Sequence, residues 1–326
     1  MRTDWLTLTP PTLDYPTLAT KNTVSVLDDC ALLMCSGIDS AKFLQGQLTC
    51  NLQDITPSQT RLGAHCTPKG RMAATFQLAQ TDTNDYVLRT HRDTVEPLKK
   101  ALAKYMVFSN ATLRHASDDF LQLGISGQDA QAIVERVFGE APLLHNTISK
   151  CADGFVWRVT DAPRFECWIH AACAQRVWQQ LSGQASPTCA HYWQWLNIRD
   201  GLGCVRAETI EEFIPQMLNL QLLDGISFTK GCYTGQEIVA RMQYRGTLKK
   251  AMYRFAGAGA APVSNTPIYL VEQNQAIGNI VIAEAISDAK WEALAVVSHD
   301  AIEQPLHMED GTKVHVLPIP YTVLAK

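Results

Sequence analysis

The first three quarters of the chain alternate between apolar positions at a spacing of two and apolar positions at helical spacing, which predicts strands interleaved with helices. Pro68, Lys69 and Gly70 supply a turn between two of the strands. The predicted strands are 23–27, 31–36, 60–66, 72–80, 86–90, 120–126, 155–160 and 165–170, and the predicted helices begin at Ser40, Asp93, Gln128, Ala171 and Ala190. Tight turns between successive strands favour mixed α+β domains over a doubly wound parallel sheet.

The pattern changes after Lys250, where short apolar runs are separated by Gly, Pro, Asn and Asp and no helical spacing intervenes. The strands predicted there are 252–255, 268–271, 277–283, 294–298 and 313–317. Several short strands with turn residues between them are typical of a small all-β domain. We therefore predict a C-terminal barrel or sandwich.

Composition indicates a soluble globular protein. The 326 residues suffice for two domains or three, and the contents of 46% hydrophobic and 18% charged residues are ordinary. No apolar run approaches the ~18 residues of a membrane span. The N-terminal arm has an early acid and three prolines where a secretion signal has an apolar core. We expect a cytoplasmic protein that does not associate with a membrane.

Ten cysteines raise the question of disulfides or a metal centre, and their spacing argues against both. They lie at 30, 35, 50, 66, 151, 167, 173, 189, 204 and 232, and no two of them form a C-x-x-C pair. Without a secretion signal, reduced thiols are the default. We expect no permanently bound metal.

The octapeptide KGCYTGQE, from Lys230 to Glu237, carries the most distinctive chemistry. Thr234 and Glu237 have the spacing of a capping box, which predicts a helix that starts there and ends near Gly246. Cys232 would then lie close to a helix N-terminus and to a lysine, and both features favour a thiolate over a thiol. The sequence thus predicts a reactive Cys232 assisted by Lys230.

Two alternatives for this octapeptide stay open at this stage. Gly231 and Gly235 could mark only a tight loop, with Cys232 as a small buried apolar residue. Tyr233 and Gln236 could orient the cysteine or merely complete the helix cap.

Charge is unevenly distributed around this octapeptide. The whole chain has a net charge of −4, whereas the stretch 230–254 holds six basic residues and one acid. Such a run is most often a solvated face, but here it could meet a polyglutamate tail, a phosphate or RNA. Arg241 and Arg245, four residues apart on one predicted helix face, are candidates for that contact, or for pairing with Glu237 or Glu208.

Several segments resemble the YgfZ family, folate-binding proteins related to the T-protein of the glycine cleavage system. The likeness covers nearly the whole chain. The segments that carry it are FLQGQLT at 43–49, KGR at 69–71, FIPQMLNL at 213–220, GISF at 225–228, KGCYTGQE at 230–237, VAR at 239–241 and YRG at 244–246. Of these, the octapeptide is the most specific.

This resemblance implies a T-protein-like ring of three domains around a hole that admits the pterin of tetrahydrofolate or a derivative. We assign 1–55 with 120–245 to an interleaved α+β folate-binding region, 56–119 to an inserted α+β domain and 250–326 to a C-terminal β-barrel. The family also implies partners, namely iron–sulfur enzymes and transfer RNA-modifying enzymes, and transfer RNA itself is a further candidate.

The sequence departs from the T-protein pattern at three positions. T-proteins are similar around Thr49 but have an aspartate where this chain has Asn51, and an amide cannot take a proton in aminomethyl transfer. At a position where they carry a pterin-facing glutamate, this chain has Arg199. One folate-contacting tryptophan of the family is matched by Trp193, while the other aligns with Cys30.

These comparisons define the candidate folate-binding residues as Trp193, Cys30, Asp29, Arg199 and Arg241. Trp193 could stack on a pterin or pack in the core, and Asp29 could replace the lost carboxylate or be an ordinary turn residue. The leading hypothesis is a folate-binding accessory protein for iron–sulfur enzymes in transfer RNA methylthiolation. The alternatives are a tetrahydrofolate-dependent one-carbon transferase or demethylase, and an RNA-binding protein that uses the basic stretch 230–254.

Overall fold

The computed structural model describes residues 14–271 and 275–323. Its strands are β1 Thr23–Val26, β2 Cys30–Ser36, β3 Arg61–Cys66, β4 Met72–Asp82, β5 Asp85–His91, β6 Thr112–His115, β7 Phe120–Ser126, β8 Ile148–Cys151, β9 Gly154–Arg158, β10 Arg164–His170, β11 Ser186–Thr188, β12 Lys250–Ala258, β13 Pro267–Leu270, β14 Ala276–Ser287, β15 Lys290–Ser298, β16 Leu306–Met308 and β17 Lys313–Leu317. Its helices are α1 Tyr15–Leu18, α2 Ser40–Gln45, α3 Arg92–Ala103, α4 Ala130–Phe138, α5 Ala174–Ser182, α6 Ala190–Arg199 and α7 Gln236–Tyr244.

Two sheets form the α+β part of the molecule. The first has the order β11-β1-β7-β10-β9-β8 and is antiparallel except for the β1–β11 pair, and the second has the order β3-β4-β5-β2-β6. Helices α4 and α5 cover one face of the first sheet, while α2 and α3 pack on the second. The opposite faces of the two sheets pack against each other through Leu32, Val87, Phe155 and Trp168. The predicted mixed α+β fold is confirmed.

The sheets divide the chain differently from the predicted domains. Strand β2 pairs with both β5 and β6, so residues 30–36 belong to the same sheet as residues 61–115. The sequence-based division joins 1–55 with 120–245 instead. Only three residues, 27–29, separate β1 from β2, so the sequence does not indicate that the chain passes from one sheet to the other between them.

The C-terminal domain is a closed six-stranded barrel in the order β12-β15-β14-β13-β16-β17. Closure pairs β12 with β17 and leaves the sheet without a free edge. This confirms the predicted barrel, although the three-residue strand β16 was not foreseen. A shared core joins the barrel to the second sheet and α7 through Cys66, Val239, Met252 and Val281.

The end of helix α3 and the N-terminal arm differ in how far they match the sequence-based expectations. The apolar spacing of Val95, Leu98, Leu102 and Tyr105 predicts a helix that extends to Tyr105, whereas α3 ends at Ala103 and Tyr105, beyond its end, is 46% exposed. Most of the N-terminal arm lies outside the described residues, but Tyr15 is buried against Tyr192 and Trp195. No helix in the described part of the chain is long and apolar enough to cross a membrane.

Candidate functional site

The octapeptide 230–237 forms a loop that presents one cysteine to solvent. Cys232 is exposed, whereas the nine other cysteines are buried or half-buried. Apart from the neighbours of Gly231 in the chain, no described residue has an atom within 4 Å of the position that a Cβ on Gly231 would occupy. The alternative that Cys232 is a small buried apolar residue is therefore wrong for this structure.

Lys230 is not exposed at the surface as Cys232 is. Its side chain is buried, with Nζ 2.7 Å from the carbonyl oxygen of Leu48 and 2.8 Å from that of Cys50. The ammonium also lies 5.1 Å from the ring centroid of Tyr233. Burial lowers the pKa of Lys230 to about 8, because the loss of hydrating water disfavours the charged form. The lysine therefore anchors the loop to the backbone of 48–50 instead of pairing with the Cys232 thiol.

The expected capping box is not formed. Helix α7 begins at Gln236, and its cap is Gly235 with a φ of 85° and no capping side chain. The Thr234 hydroxyl instead donates to Gln47 Oε1 at 3.2 Å, and the Thr234 amide donates to the carbonyl of Gly46. Tertiary contacts with 46–47 thus override the local capping signal, and Cys232 lies four residues before the first residue of the helix.

The loop is held in place by two other motif segments. A Cβ on Gly235 would lie 2.5 Å from the carbonyl oxygen of Thr67, and one on Gly70 would lie 2.8 Å from Ile238. Glycine is therefore required at both positions for the loop to approach the turn at 68–70. The segments 43–49, 69–71 and 230–237, which the sequence singled out separately, meet at one place.

A separate cavity of about 370 Å³ lies between the two sheets, helix α6 and the C-terminal segment. Arg89 and His91 line it from β5, Glu166 from β10, Asn197 from α6, and Tyr321 from the segment after β17. A concave site with a few convergent polar groups is the usual form of a small-molecule site. Its volume lies within the range of about 300–1,000 Å³ typical of such sites.

The most polar part of the cavity wall is built on β9 and β10. Glu166 is 1% exposed, and its Oε1 accepts from Arg89 Nε at 2.8 Å and from Trp168 Nε1 at 3.1 Å. Its Oε2 accepts no hydrogen bond from the described residues. Trp157 is the direct cross-strand partner of Glu166, and its buried Nε1 has no hydrogen-bond partner among the described residues. One free acceptor and one free donor therefore stand on neighbouring strands.

Among the predicted folate-binding residues, Cys30 lines this cavity. Its thiol donates to Asp29 Oδ1 at 3.2 Å, and burial raises the pKa of the thiol. Arg241 lies on the exposed face of α7, away from the cavity lining.

Trp193 and Arg199 are placed by α6 outside the cavity lining. Trp193 is 2% exposed, packs against Gly124 and lies beneath the Arg164 guanidinium, whose Cζ is 4.3 Å from the ring centroid. The guanidinium of Arg199 lies 4.9 Å from the ring centroid of Trp195. Trp193 therefore packs in the core of this structure and does not face the cavity as a stacking platform for a pterin.

Asn51 is engaged in local structure. Its Oδ1 accepts from Gln45 Nε2 at 2.9 Å and from the amide of Gln53 at 3.3 Å, which caps a 3-10 turn. Like Trp193, it lies outside the cavity lining. In the described ranges, no three His, Cys, Asp or Glu side chains come together as a metal site.

Glu166 and Trp157 are two cavity residues that the sequence did not predict, and Arg89, His91 and Asn197 are others. Glu166 interrupts the apolar run of β10, and a carboxylate predicted to lie within a buried strand is itself an indication of function. That signal was available in the sequence. The pairing of Glu166 with Trp157 was not, because it depends on the register of β9 against β10.

Three comparisons with known proteins agree with this architecture. The model of the GCVT N-terminal domain matches residues 16–220. The tRNA-modifying protein YgfZ of Shigella boydii serotype 4 (strain Sb227) is 34% identical over 307 residues, which are 92% of this chain and 94% of that protein.

Among solved structures, the glycine cleavage system aminomethyltransferase T from Bartonella henselae has a TM-score of 0.75 at 15% identity, covering 94% of this chain and 88% of that chain. A likeness at this identity shows the shared fold alone. Together with the sequence match over nearly the full length, these findings show that the chain belongs to the YgfZ family and carries its GCVT N-terminal domain.

Proposed function

We propose that this protein is a cytoplasmic, folate-binding accessory protein that supports iron–sulfur enzymes in transfer RNA modification, with Cys232 as its active thiol. The observation that carries the proposal is the exposure of Cys232 on a loop fixed by two neighbouring motifs. A lone thiol that served only packing would be buried. The name of the Shigella relative supports the transfer RNA part of the proposal.

The cavity suits the pterin of a reduced folate. An amino-pyrimidinone edge carries N–H donors beside a carbonyl acceptor. Glu166 Oε2 would accept from the ring N–H and the amino group, while Trp157 Nε1 would donate to the carbonyl. Arg89 holds the carboxylate in position through its 2.8 Å bond. Glu166 thus offers the carboxylate that seemed lost at Arg199.

The position of the thiol favours action on a partner over chemistry on the bound folate. Cys232 is not among the residues that line the cavity, so thiol and pterin occupy separate surfaces of one molecule. Asn51, which replaces the T-protein aspartate, is a neutral amide committed to a turn. Both observations speak for an accessory role over one-carbon transfer.

The decisive experiment replaces Cys232 with Ala in cells that lack the natural protein. Methylthiolated adenosine in total transfer RNA is then measured by mass spectrometry. We expect levels close to those of the deletion strain, and levels close to wild type in a Cys173→Ala control, since Cys173 is a half-buried thiol of the first sheet's core. Wild-type methylthiolation in the Cys232→Ala strain would disprove the role of the thiol.

A second measurement separates the accessory role from catalysis. If the purified protein transferred a one-carbon unit to tetrahydrofolate at an enzyme-like rate, the accessory role would be wrong and the transferase alternative right.

A further inference from the structure

One face of helix α7 combines exposed cations with an exposed aromatic ring. Arg241 and Tyr244 are three residues apart on α7 and lie on one side of the helix, and Arg245 follows directly as the residue that ends it. Both arginines are exposed, and Tyr244 keeps 69% of its surface accessible. Lys249 follows on the exposed chain just beyond the helix. We call this surface the Tyr244 face.

The charges of the Tyr244 face are not neutralised from within the protein. Among residues 14–271 and 275–323, no ion pair engages Arg241, Arg245 or Lys249. Glu237, one turn before Arg241, is the nearest acid along the helix, and it forms no ion pair with that arginine. The face therefore keeps a local positive charge although the whole chain has a net charge of −4. A polyanion is the complementary partner.

The aromatic ring is held in a fixed orientation and lies beside the cysteine loop. Phe228 contacts Tyr244 edge to face, with ring centroids 6.1 Å apart. This contact steadies Tyr244 while leaving most of its surface open. Phe228 precedes Cys232 by four residues, so the Cα atoms of these two residues are at most about 14 Å apart. The Tyr244 face and the exposed thiol are therefore neighbours.

We propose that the Tyr244 face binds single-stranded RNA, with one unpaired base stacked on Tyr244 and the phosphates contacted by Arg241, Arg245 and Lys249. An acidic protein segment would satisfy the cations but gives no reason for an exposed flat ring between them. Proteins that bind single strands combine a cationic track with aromatic rings on which bases stack. The site would bring an RNA loop close to Cys232, and it goes beyond the folate and thiol roles proposed above.

The test measures fluorescence anisotropy of a labelled RNA hairpin with a wide unpaired loop, and of the same stem closed as a blunt duplex, across a potassium chloride series. We expect the wild type to prefer the looped hairpin. Tyr244→Ala should weaken binding of the loop about tenfold, the order expected for losing one stacked base. Tyr244→Phe should retain it, because the ring remains.

Arg245→Gln should weaken both RNAs and reduce the slope of log affinity against log salt by roughly one. Phe108→Ala is the matched control, since Phe108 is also an exposed aromatic residue but lies between α3 and β6. It should bind as the wild type does.

Three results would overturn the proposal: no preference of the wild type for the looped hairpin, wild-type binding by Tyr244→Ala, or competition by polyglutamate as effective as competition by RNA. The last result would assign the face to an acidic protein. Cys232→Ser should bind RNA normally, so loss of the thiol function in cells would leave this inference standing.

Discussion

The cavity makes a sharp prediction about which heterocycle it accepts. Within residues 14–271 and 275–323, Trp157 Nε1 is a buried donor without a partner, and it lies on the strand beside Glu166, whose Oε2 is a free acceptor. Folic acid has a carbonyl oxygen at ring position 4 and a hydrogen on the neighbouring N3, whereas aminopterin has an amino group at position 4 and no hydrogen on N3. The carbonyl can accept from Trp157, whereas the amino group would set a donor against a donor. We therefore expect the wild type to prefer folic acid.

The size of the preference follows from the cost of a buried donor. A net hydrogen bond contributes about 0.5–1.5 kcal/mol, and a buried polar group left unpaired costs about 1–3 kcal/mol. A preference of roughly tenfold to a hundredfold results, since about 1.4 kcal/mol is tenfold in affinity. Trp157→Phe removes the N–H and keeps the ring, so it should reduce the preference by about tenfold. The remaining preference would come from the N3–H that donates to Glu166 in folic acid and is absent in aminopterin.

Isothermal titration calorimetry is the suitable assay, because replacing a tryptophan alters fluorescence. Trp193→Phe serves as the control, since Trp193 lies in the core outside the cavity lining and should leave the preference unchanged. Equal affinities of the wild type for the two compounds would refute the reasoning. An equal loss of both in Trp157→Phe would show that the ring matters only for packing.

Three further predictions concern the cysteine loop. The pKa of buried Lys230 is about 8 in the folded state, whereas its ordinary value is 10.5. Between pH 8 and pH 10.5 the folded protein therefore binds fewer protons than the unfolded chain, and the free energy of unfolding should rise with pH in that interval. Urea denaturation at pH 8 and at pH 10.5 should show that the free energy of unfolding of the wild type rises by at most about 3 kcal/mol more than that of Lys230→Met. An equal pH dependence in both proteins would contradict this. Gly235→Ala should lower the free energy of unfolding by about 2 kcal/mol or more, because of its φ of 85° and the carbonyl of Thr67, whereas Gly231→Ala should be nearly neutral in the same thermal melts. An aromatic disulfide reagent should modify one thiol rapidly in the native protein and none rapidly in Cys232→Ser, and several fast thiols in the wild type would show that the loop is not the exposed site.

The sequence predicted regular elements well where local spacing decides them. Helix α6 runs from Ala190 to Arg199 as expected, and the short strands after Lys250 close into a barrel. In both cases, apolar spacing and nearby Gly, Pro or Asn residues are sufficient. The sequence could not predict that β1 and β2 belong to different sheets, because pairing partners far along the chain determine which sheet a strand joins.

The candidate site was only partly predictable. Helix α6 buries residues on nearly all sides, so its sequence cannot tell whether Trp193 faces a ligand or the core. The Thr234–Glu237 cap failed because Gln47 and Gly46, far away in sequence, compete for Thr234. A capping box is a local preference of about 1 kcal/mol, which two tertiary hydrogen bonds can outweigh. The register that sets Trp157 beside Glu166 is likewise non-local.

The anchoring of the cysteine loop has a consequence for the design of inhibitors. Its shape depends on carbonyls of Gly46, Leu48 and Cys50, none of which belongs to the octapeptide. A synthetic peptide with the sequence KGCYTGQE would lack these anchors and would sample many conformations in solution. Any molecule meant to mimic this surface must therefore present the backbone of both segments together, as a cyclised or grafted scaffold does and a linear peptide does not.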